Sequence, residues 1–312
     1  MKKILLFVSI TFITFLLVKL FVFSTVNPEE EYAKLFKEYH HTYPVKVPKE
    51  LRFADETVPM KIFDVRERME RELLVNVYWQ SQTLLNIKRA HRWFPVIEPI
   101  LKKNNIPDDF KYLCVAESGL TNAVSPSNAI GFWQFVEATG KTYGLEINDE
   151  VDERYNVERS TEAACAFFTK SYSQFGSWSL VAASYNMGTA ALEKQIEKQK
   201  VHNYYDLLLS DETLRYVFRI LAIKEMLTHP EQYGFYFRKQ DLYAPFDYTS
   251  LTIDSAVTDF ADYSIQNKIN YKTLKFLNPW LRQNYLTNKE KKKYSIKILK
   301  AGYSGLEDGD LK

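Results

Sequence analysis

From Asp64 to Tyr236 the apolar residues recur at helical spacing, and this constrains the fold more than any other feature of the chain. Val65, Met69, Leu73 and Val77 open the pattern at intervals of four, with charges on the other faces. A second helix is expected over about Ser81–Trp93; Pro95 then separates it from a third segment through Ile97, Ile100 and Leu101. Asn104-Asn105-Ile106-Pro107 stops that segment, and Asp108–Ser118 follows, ended by Gly119. Further helices are predicted over Thr161–Gln174 with Ser160 as N-cap, Trp178–Asn186 ending at Gly188, Thr189 to about Lys200, and Asp211–Leu227. After Pro245 the texture changes: Leu251–Ile253 and Tyr294–Ile298 read as strands flanking helical patterns at Ser255–Ile265 and Tyr271–Leu277. The fold class is mainly α, followed by a small α+β unit of βααβ order.

The amino terminus sets the compartment. Lys2 and Lys3 precede an apolar run to Phe23, interrupted only by Lys19 among charged residues, as in an export signal. Val22 and Ser24 are small residues before a weak cleavage point, and the run of ~20 residues is also long enough to span a bilayer if retained. No cysteine follows, which excludes lipid attachment there. The divisions are therefore 1–23, signal peptide or N-terminal membrane anchor; 24–60, a polar, proline-punctuated linker with one short helix at Glu29–Tyr39; 61–240, the helical domain; and 245–312, the small module. A net charge of +2 gives no sign of nucleic-acid binding, and Lys289–Lys293 reads as a solvated turn. Cys114 and Cys165 sit in apolar helical patterns and read as buried free thiols, with a disulfide as the alternative. The 5 His residues show no metal-ligand spacing, so neither metal nor cofactor is expected. The aromatic share of 15% exceeds what needs comment only because Tyr and Trp also suit sugar binding.

One residue is out of place on this pattern. Phe110, Leu113 and Cys114 form an apolar stripe, and Glu117 falls on the same face one turn further on. Desolvation there disfavours the charged carboxylate, and so does the negative end of the helix dipole before Gly119. Both raise its pKa, as a general acid working near neutral pH requires. The alternative is a frayed helix end with Glu117 in water, and position alone does not separate the two.

The surrounding motifs do. Glu117-Ser118-Gly119 is followed by Asn128-Ala129-Ile130-Gly131-Phe132-Trp133-Gln134-Phe135, and later by Ala182-Ala183-Ser184-Tyr185-Asn186-Met187-Gly188. In this order and at these separations they resemble the lytic transglycosylases of the lysozyme-like superfamily, most closely the membrane-bound D-type murein enzymes. The resemblance runs from about Arg89 to Phe235. It includes Ile106-Pro107-Asp108-Asp109, Ser160-Thr161-Glu162-Ala163-Ala164 and a closing helix through Arg215-Tyr216-Val217. It implies a lysozyme-like SLT catalytic domain with Glu117 as catalytic acid and then base. Ser118 and Gln134 match positions lining the site near the sugar and its acetamido group. Tyr185 matches the tyrosine that orients the glutamate, and Asn186 the asparagine beside it. Trp133 is a candidate for sugar stacking and equally for core packing. Bland alternatives stand for the others: Ser118 as a helix-end residue, Tyr185 as a core aromatic, Asn186 as a C-terminal cap. Phe132-Trp133, Glu137 and Ser184 depart from the usual pattern without touching a catalytic position.

The activity so implied is non-hydrolytic cleavage of the MurNAc-β-1,4-GlcNAc bond of peptidoglycan, leaving 1,6-anhydro-MurNAc ends. Ordinary glycoside hydrolysis needs two carboxylates. Asp149, Glu150, Asp152 and Glu153 are the obvious seconds by distance, but their charged segment reads as a solvated loop. A hydrolytic muramidase and an inactive wall-binding scaffold remain the alternatives. The C-terminal unit, with Leu274-x-x-Leu277-Asn278-Pro279, looks like a LysM-type glycan-binding module. The expected partners are peptidoglycan glycan strands, the membrane if the amino-terminal segment is uncleaved, and proteins of wall synthesis or remodelling. The expected location is periplasmic or cell-envelope.

Overall fold

A computed structural model describes residues 2–24, 28–39, 42–300 and 303. Two compact units result, residues 1–44 and 45–312. The first contains α1 (Lys2–Ser24) and α2 (Pro28–Tyr39). Along α1 the large apolar side chains from Phe7 to Val18 are exposed, and the hydroxyls of Thr11 and Thr14 donate to the carbonyls of Phe7 and Ile10 at 2.7 Å. Among the described residues no helix is long and apolar enough to cross a membrane.

The second unit begins earlier than the sequence suggests. Residues 45–60, expected as linker, pack into the helical core through Val47, Leu51, Phe53, Val58 and Met60. Within them β1 (Arg52–Phe53) and β2 (Glu56–Thr57) form a tight antiparallel hairpin. The polar composition that mimics a tether has a structural use. Glu56 accepts hydrogen bonds from the Trp178 and Ser179 amides and from both serine hydroxyls, Ser177 and Ser179. Its charge thus sits on the positive N-terminal end of a helix.

The helical body comprises α3 (Phe63–Tyr78), α4 (Gln80–Lys103), α5 (Phe110–Ser118), α6 (Glu137–Thr142), α7 (Val157–Phe175), α8 (Trp178–Met187), α9 (Thr189–Gln199) and α10 (Asp211–Thr228). The central α10 packs against α3, α5 and α8. Two boundaries differ from the sequence reading. Pro95 does not split α4, although an interior proline costs about 3 kcal/mol. Ile87, Ala90, Phe94, Ile97 and Leu101 keep one inward stripe in register across it, so burial on both sides offsets the lost hydrogen bond. Ser160 does not cap α7. Asn156 does, accepting from the Arg159 amide, while the Ser160 hydroxyl donates back to the Asn156 carbonyl at 2.7 Å.

The carboxy-terminal module has the expected βααβ order: β3 (Tyr248–Ile253), α11 (Phe260–Gln266), α12 (Tyr271–Leu277) and β4 (Tyr294–Leu299). Its strands pair antiparallel from Tyr248↔Leu299 to Ile253↔Tyr294. The Asn-Pro pair after α12 now has a physical reason. Asn278 is fully buried, donates to the Leu274 and Lys297 carbonyls, and accepts the Lys297 amide, all at 2.8 Å. The module's own core is Ile253, Val257, Phe260, Leu274, Trp280, Leu281, Leu286 and Ile296, joined by Val151 from the helical body. Residues 301–302 and 304–312, assigned to it by sequence, lie outside the described residues.

The segment Asn148–Arg154 is where module and helical body join. The Asp152 amide donates to the Trp280 carbonyl at 2.9 Å, the Arg282 amide to the Glu150 carbonyl at 2.8 Å, and the Thr287 amide to the Glu150 carboxylate at 2.7 Å. Arg154 and Asp152 form a buried two-point ion pair at 2.8 and 2.9 Å. Removing one partner of such a pair strands the other charge. Asp152→Ala is expected to lower unfolding free energy by about 3–5 kcal/mol in denaturant titration.

Candidate active site

The site is built around the end of α5. Gly119 terminates that helix in the left-handed conformation (φ +57°) and its amide closes on the Val115 carbonyl at 2.8 Å. Any side chain there would meet the Gln82 and Asn86 side chains at 2.9 and 3.1 Å. Glu117 is therefore delivered to a fixed place, partly buried, in the last turn of a helix that is otherwise core.

The loop carrying the second motif is pinned against α5 and α7. The Ser118 hydroxyl donates to the Phe132 carbonyl at 2.9 Å, and the Cys114 thiol reaches the same oxygen at 3.4 Å. Gly131 (φ +84°) lies so close to Arg154 that a Cβ would sit 2.0 Å from its carbonyl oxygen. No residue but glycine fits. Gln134, itself in the left-handed region (φ +51°), donates through its amide nitrogen to the Ala123 and Gly131 carbonyls at 3.0 and 2.8 Å. Both of its N–H donors are thereby used, so Gln134 can offer a ligand only its oxygen, as an acceptor.

Trp133 is corrected from a stacking candidate to a core residue. Its ring is fully buried against Phe168, and its indole N–H donates to Thr161 Oγ1 at 2.9 Å. A buried indole needs such an acceptor, and α7 supplies it. Tyr185 lies among Phe135, Phe167 and Phe168, and its hydroxyl donates to the Trp133 carbonyl at 2.6 Å. Burial, with the Glu117 charge adding to it, pushes its pKa well up. The hydrogen bond to the glutamate comes instead from Tyr216 on α10, whose hydroxyl donates to Glu117 Oε1. Asn186 is not the C-terminal cap, a place taken by Gly188. It joins α8 to the start of α10, accepting from the Thr213 hydroxyl at 2.8 Å and donating to Glu212 at 3.5 Å.

Burial pushes the Glu117 pKa up to about 7; the Tyr216 hydrogen bond and the Arg219 charge oppose this, and Glu212 adds to it. Glu212, Tyr216 and Arg219 stand four and three residues apart on α10, one face of a helix whose other positions are largely core. Sequence reasoning misses this polar stripe, although its spacing is visible there. Arg219 also acts on Glu72 of α3, a buried carboxylate that accepts from Arg215 at 2.7 Å and Arg71 at 3.1 Å. The four acidic residues of the 149–153 segment are committed elsewhere or exposed. Asp152 pairs with Arg154, Glu150 holds Thr287, Glu153 holds Arg159 and the Glu146 amide, and Asp149 is exposed. The segment is thus a tied joint rather than the solvated loop its composition suggests. Both cysteines are buried and free.

With this geometry in place, the comparisons with known proteins cover Glu117 and the motif loop but not all of the site. Residues 94–208 match the Transglycosylase SLT domain, and residues 249–302 match the Soluble lytic transglycosylase C-terminal LysM-like domain. The chain carries an SLT transglycosylase domain followed by a LysM-like domain. It is 32% identical over 176 residues to membrane-bound lytic murein transglycosylase D of Escherichia coli strain K12, and equally to that of Escherichia coli O6:H1. Each match covers 54% of this chain and 38% of the relative, so the chain spans well under half the length of these curated relatives. Tyr216, Arg219 and Glu72 lie outside both matched domains.

The raised carboxyl has a consequence for stability. A folded-state pKa of about 7 against an ordinary 4.5 means the native state holds this proton more tightly than the unfolded chain. The contribution is fully present below pH 4.5 and is lost as pH rises through about 7. Glu117→Gln is therefore expected to raise the melting temperature at pH 8 by several degrees and to change it little at pH 4, as thermal unfolding at the two pH values would record.

Proposed function

We propose that this chain is a peptidoglycan lytic transglycosylase that cleaves the MurNAc-β-1,4-GlcNAc bond without water and leaves 1,6-anhydro-MurNAc ends. The observation that carries this reading is the Glu117 carboxyl, raised by burial to a pKa of about 7 and held by Tyr216, on a chain with an SLT domain. As acid it gives its proton to the glycosidic oxygen, and the C1–O bond breaks with its electron pair going to the departing GlcNAc hydroxyl. The sugar's own acetamido oxygen stabilises C1, and we assign the Gln134 oxygen, whose amide nitrogen is already engaged, as the acceptor for an acetamido N–H. The Glu117 carboxylate then takes the proton from the 6-hydroxyl as O6 bonds to C1 and displaces the acetamido oxygen. No water enters, and Glu117 ends protonated as it began. The Tyr216 hydrogen bond and Arg219 stabilise the carboxylate between the two steps, which a group that must both lose and regain a proton needs.

The curated relatives are named membrane-bound murein enzymes, and α1 places an exposed apolar stretch ahead of α2. We read α1 as the signal or anchor of an envelope protein. The i−4 hydroxyl bonds of Thr11 and Thr14 suit a helix in an apolar medium, where each polar group must be satisfied internally. Glycan strands are then the substrate, and wall-synthesis or remodelling proteins are candidate partners.

A hydrolytic muramidase would have to enlist a second carboxylate. Glu212 is the acidic side chain that acts on Glu117, but it is exposed and engaged with Asn186. Mass spectrometry of muropeptides released from purified peptidoglycan separates the readings. Wild type is expected to give anhydro-muropeptides and Glu117→Gln none. Reducing-end products, heavier by one water, would make the enzyme a hydrolase, and strand binding without products from either would make it a scaffold.

A further inference from the structure

A second buried carboxylate faces the helix that holds Glu117, and it comes from outside the SLT match. Glu72 on α3 is 1% exposed, and its Oε1 accepts from Arg215 at 2.7 Å and from Arg71 at 3.1 Å. Two guanidinium groups on one oxygen hold it as a carboxylate, since a buried charge without such partners is strongly disfavoured. It lies ahead of residues 94–208 and touches none of the motifs that carry the chemistry.

The spacing along α10 shows how one helix serves both carboxyls. Arg215 and Arg219 stand four residues apart and share the face turned to α3. Tyr216 and Arg219 stand three apart, and the Tyr216 hydroxyl donates to Glu117 Oε1. Arg219 is thus set between the two carboxyls, and its charge acts on both. Glu117 faces Tyr216, Arg219 and Glu212 of α10, Tyr185 of α8 and Cys114 of its own helix. Glu72 faces Arg71 of its own helix, Arg215 and Arg219 of α10, and Tyr204. The charges that act most on Glu117 are those of Arg219 and Glu212, so Glu72 reaches it by way of α10.

We infer that Glu72 is a positioning residue for the Glu117 acid: by engaging Arg215 and drawing on the Arg219 charge, it sets where α10 places Tyr216 and how much of that cation Glu117 feels. The consequence for activity rests on the transglycosylase reading above. The sign follows from the charges. Neutralising Glu72 leaves more of the Arg219 charge to Glu117, which favours the carboxylate over the acid and lowers its pKa from about 7. The protonated fraction then shrinks above neutral pH and stays nearly complete at pH 5.5.

The test is the activity of the full chain on purified peptidoglycan at pH 5.5 and pH 7.5, with a carbon-13 titration of the Glu117 carboxyl beside it. In Glu72→Gln the ratio of activity at pH 7.5 to that at pH 5.5 is expected to fall about threefold to fourfold, whereas Glu72→Asp, which keeps the charge, holds the wild-type ratio. Damage to packing alone would lower activity at both pH values and leave the ratio where it was. Arg219→Gln is expected to raise the ratio, and adding Glu72→Gln to it to change it little further. An unchanged ratio with an unchanged Glu117 titration in Glu72→Gln would overturn the inference. Should Glu72→Gln lose its cooperative thermal transition, Arg215→Gln decides the matter from the α10 side. It leaves Glu72 to draw more on Arg219, so the ratio is expected to rise, and an unchanged one would overturn the inference equally. Absence of anhydro ends from the wild type would instead sink the transglycosylase reading, while the Glu117 titration would still decide the role of Glu72.

Discussion

The buried ion pair of Arg154 and Asp152 is the interaction on which the working parts converge. Arg154's guanidinium reaches the Asn128 and Phe135 carbonyls at 3.3 and 3.4 Å, and its own carbonyl fills the space that Gly131 leaves open. The loop that sets Gln134 and the Phe132 carbonyl is therefore braced by this one residue from two sides. Asp152 holds the guanidinium in place, and its amide ties in the carboxy-terminal module through Trp280. A buried pair of this kind adds little net stability by itself, because desolvation consumes most of the Coulombic gain. Its value is positional: breaking it would loosen the motif loop and the module together.

Against that scaffold, the proposed chemistry depends on a single balance at Glu117. Desolvation raises its pKa, while Tyr216 and Arg219, both on α10, limit the rise. α10 packs against α3, α5 and α8, so the helix that tunes the carboxyl is also the helix that holds the body together. Glu72 on α3 extends this arrangement by engaging Arg215 and sharing Arg219. The amino-terminal hairpin reinforces the same helices from outside, since Lys224 of α10 bonds both Asp109 beside α5 and the Arg52 carbonyl.

Much of this is legible in the sequence where a residue's role follows from local spacing. The helical stripes and the βααβ order of the module can be read from periodicity, and Glu117 stands out as a charge on an apolar face. What cannot be read is pairing across the fold. Tyr216 is 99 residues from Glu117, and nothing local to it announces a carboxyl partner. Tyr185 is the partner its motif suggests, yet it spends its hydroxyl on the Trp133 carbonyl. Residues 45–60 look like a tether because their charges, Glu56 above all, are meant for a helix end far along the chain. Pro95 looks like a break because sequence shows the lost hydrogen bond but not the burial that outweighs it.

The most direct test is a carbon-13 NMR titration of the Glu117 side-chain carboxyl in the wild type and in Tyr216→Phe. A wild-type pKa of about 7 is expected, and a higher one in the variant because a hydrogen bond to the ionised form has been removed. A titration near the ordinary value of 4.5 in both proteins would contradict this, since Glu117 would then be a solvated carboxylate with no proton to give at neutral pH.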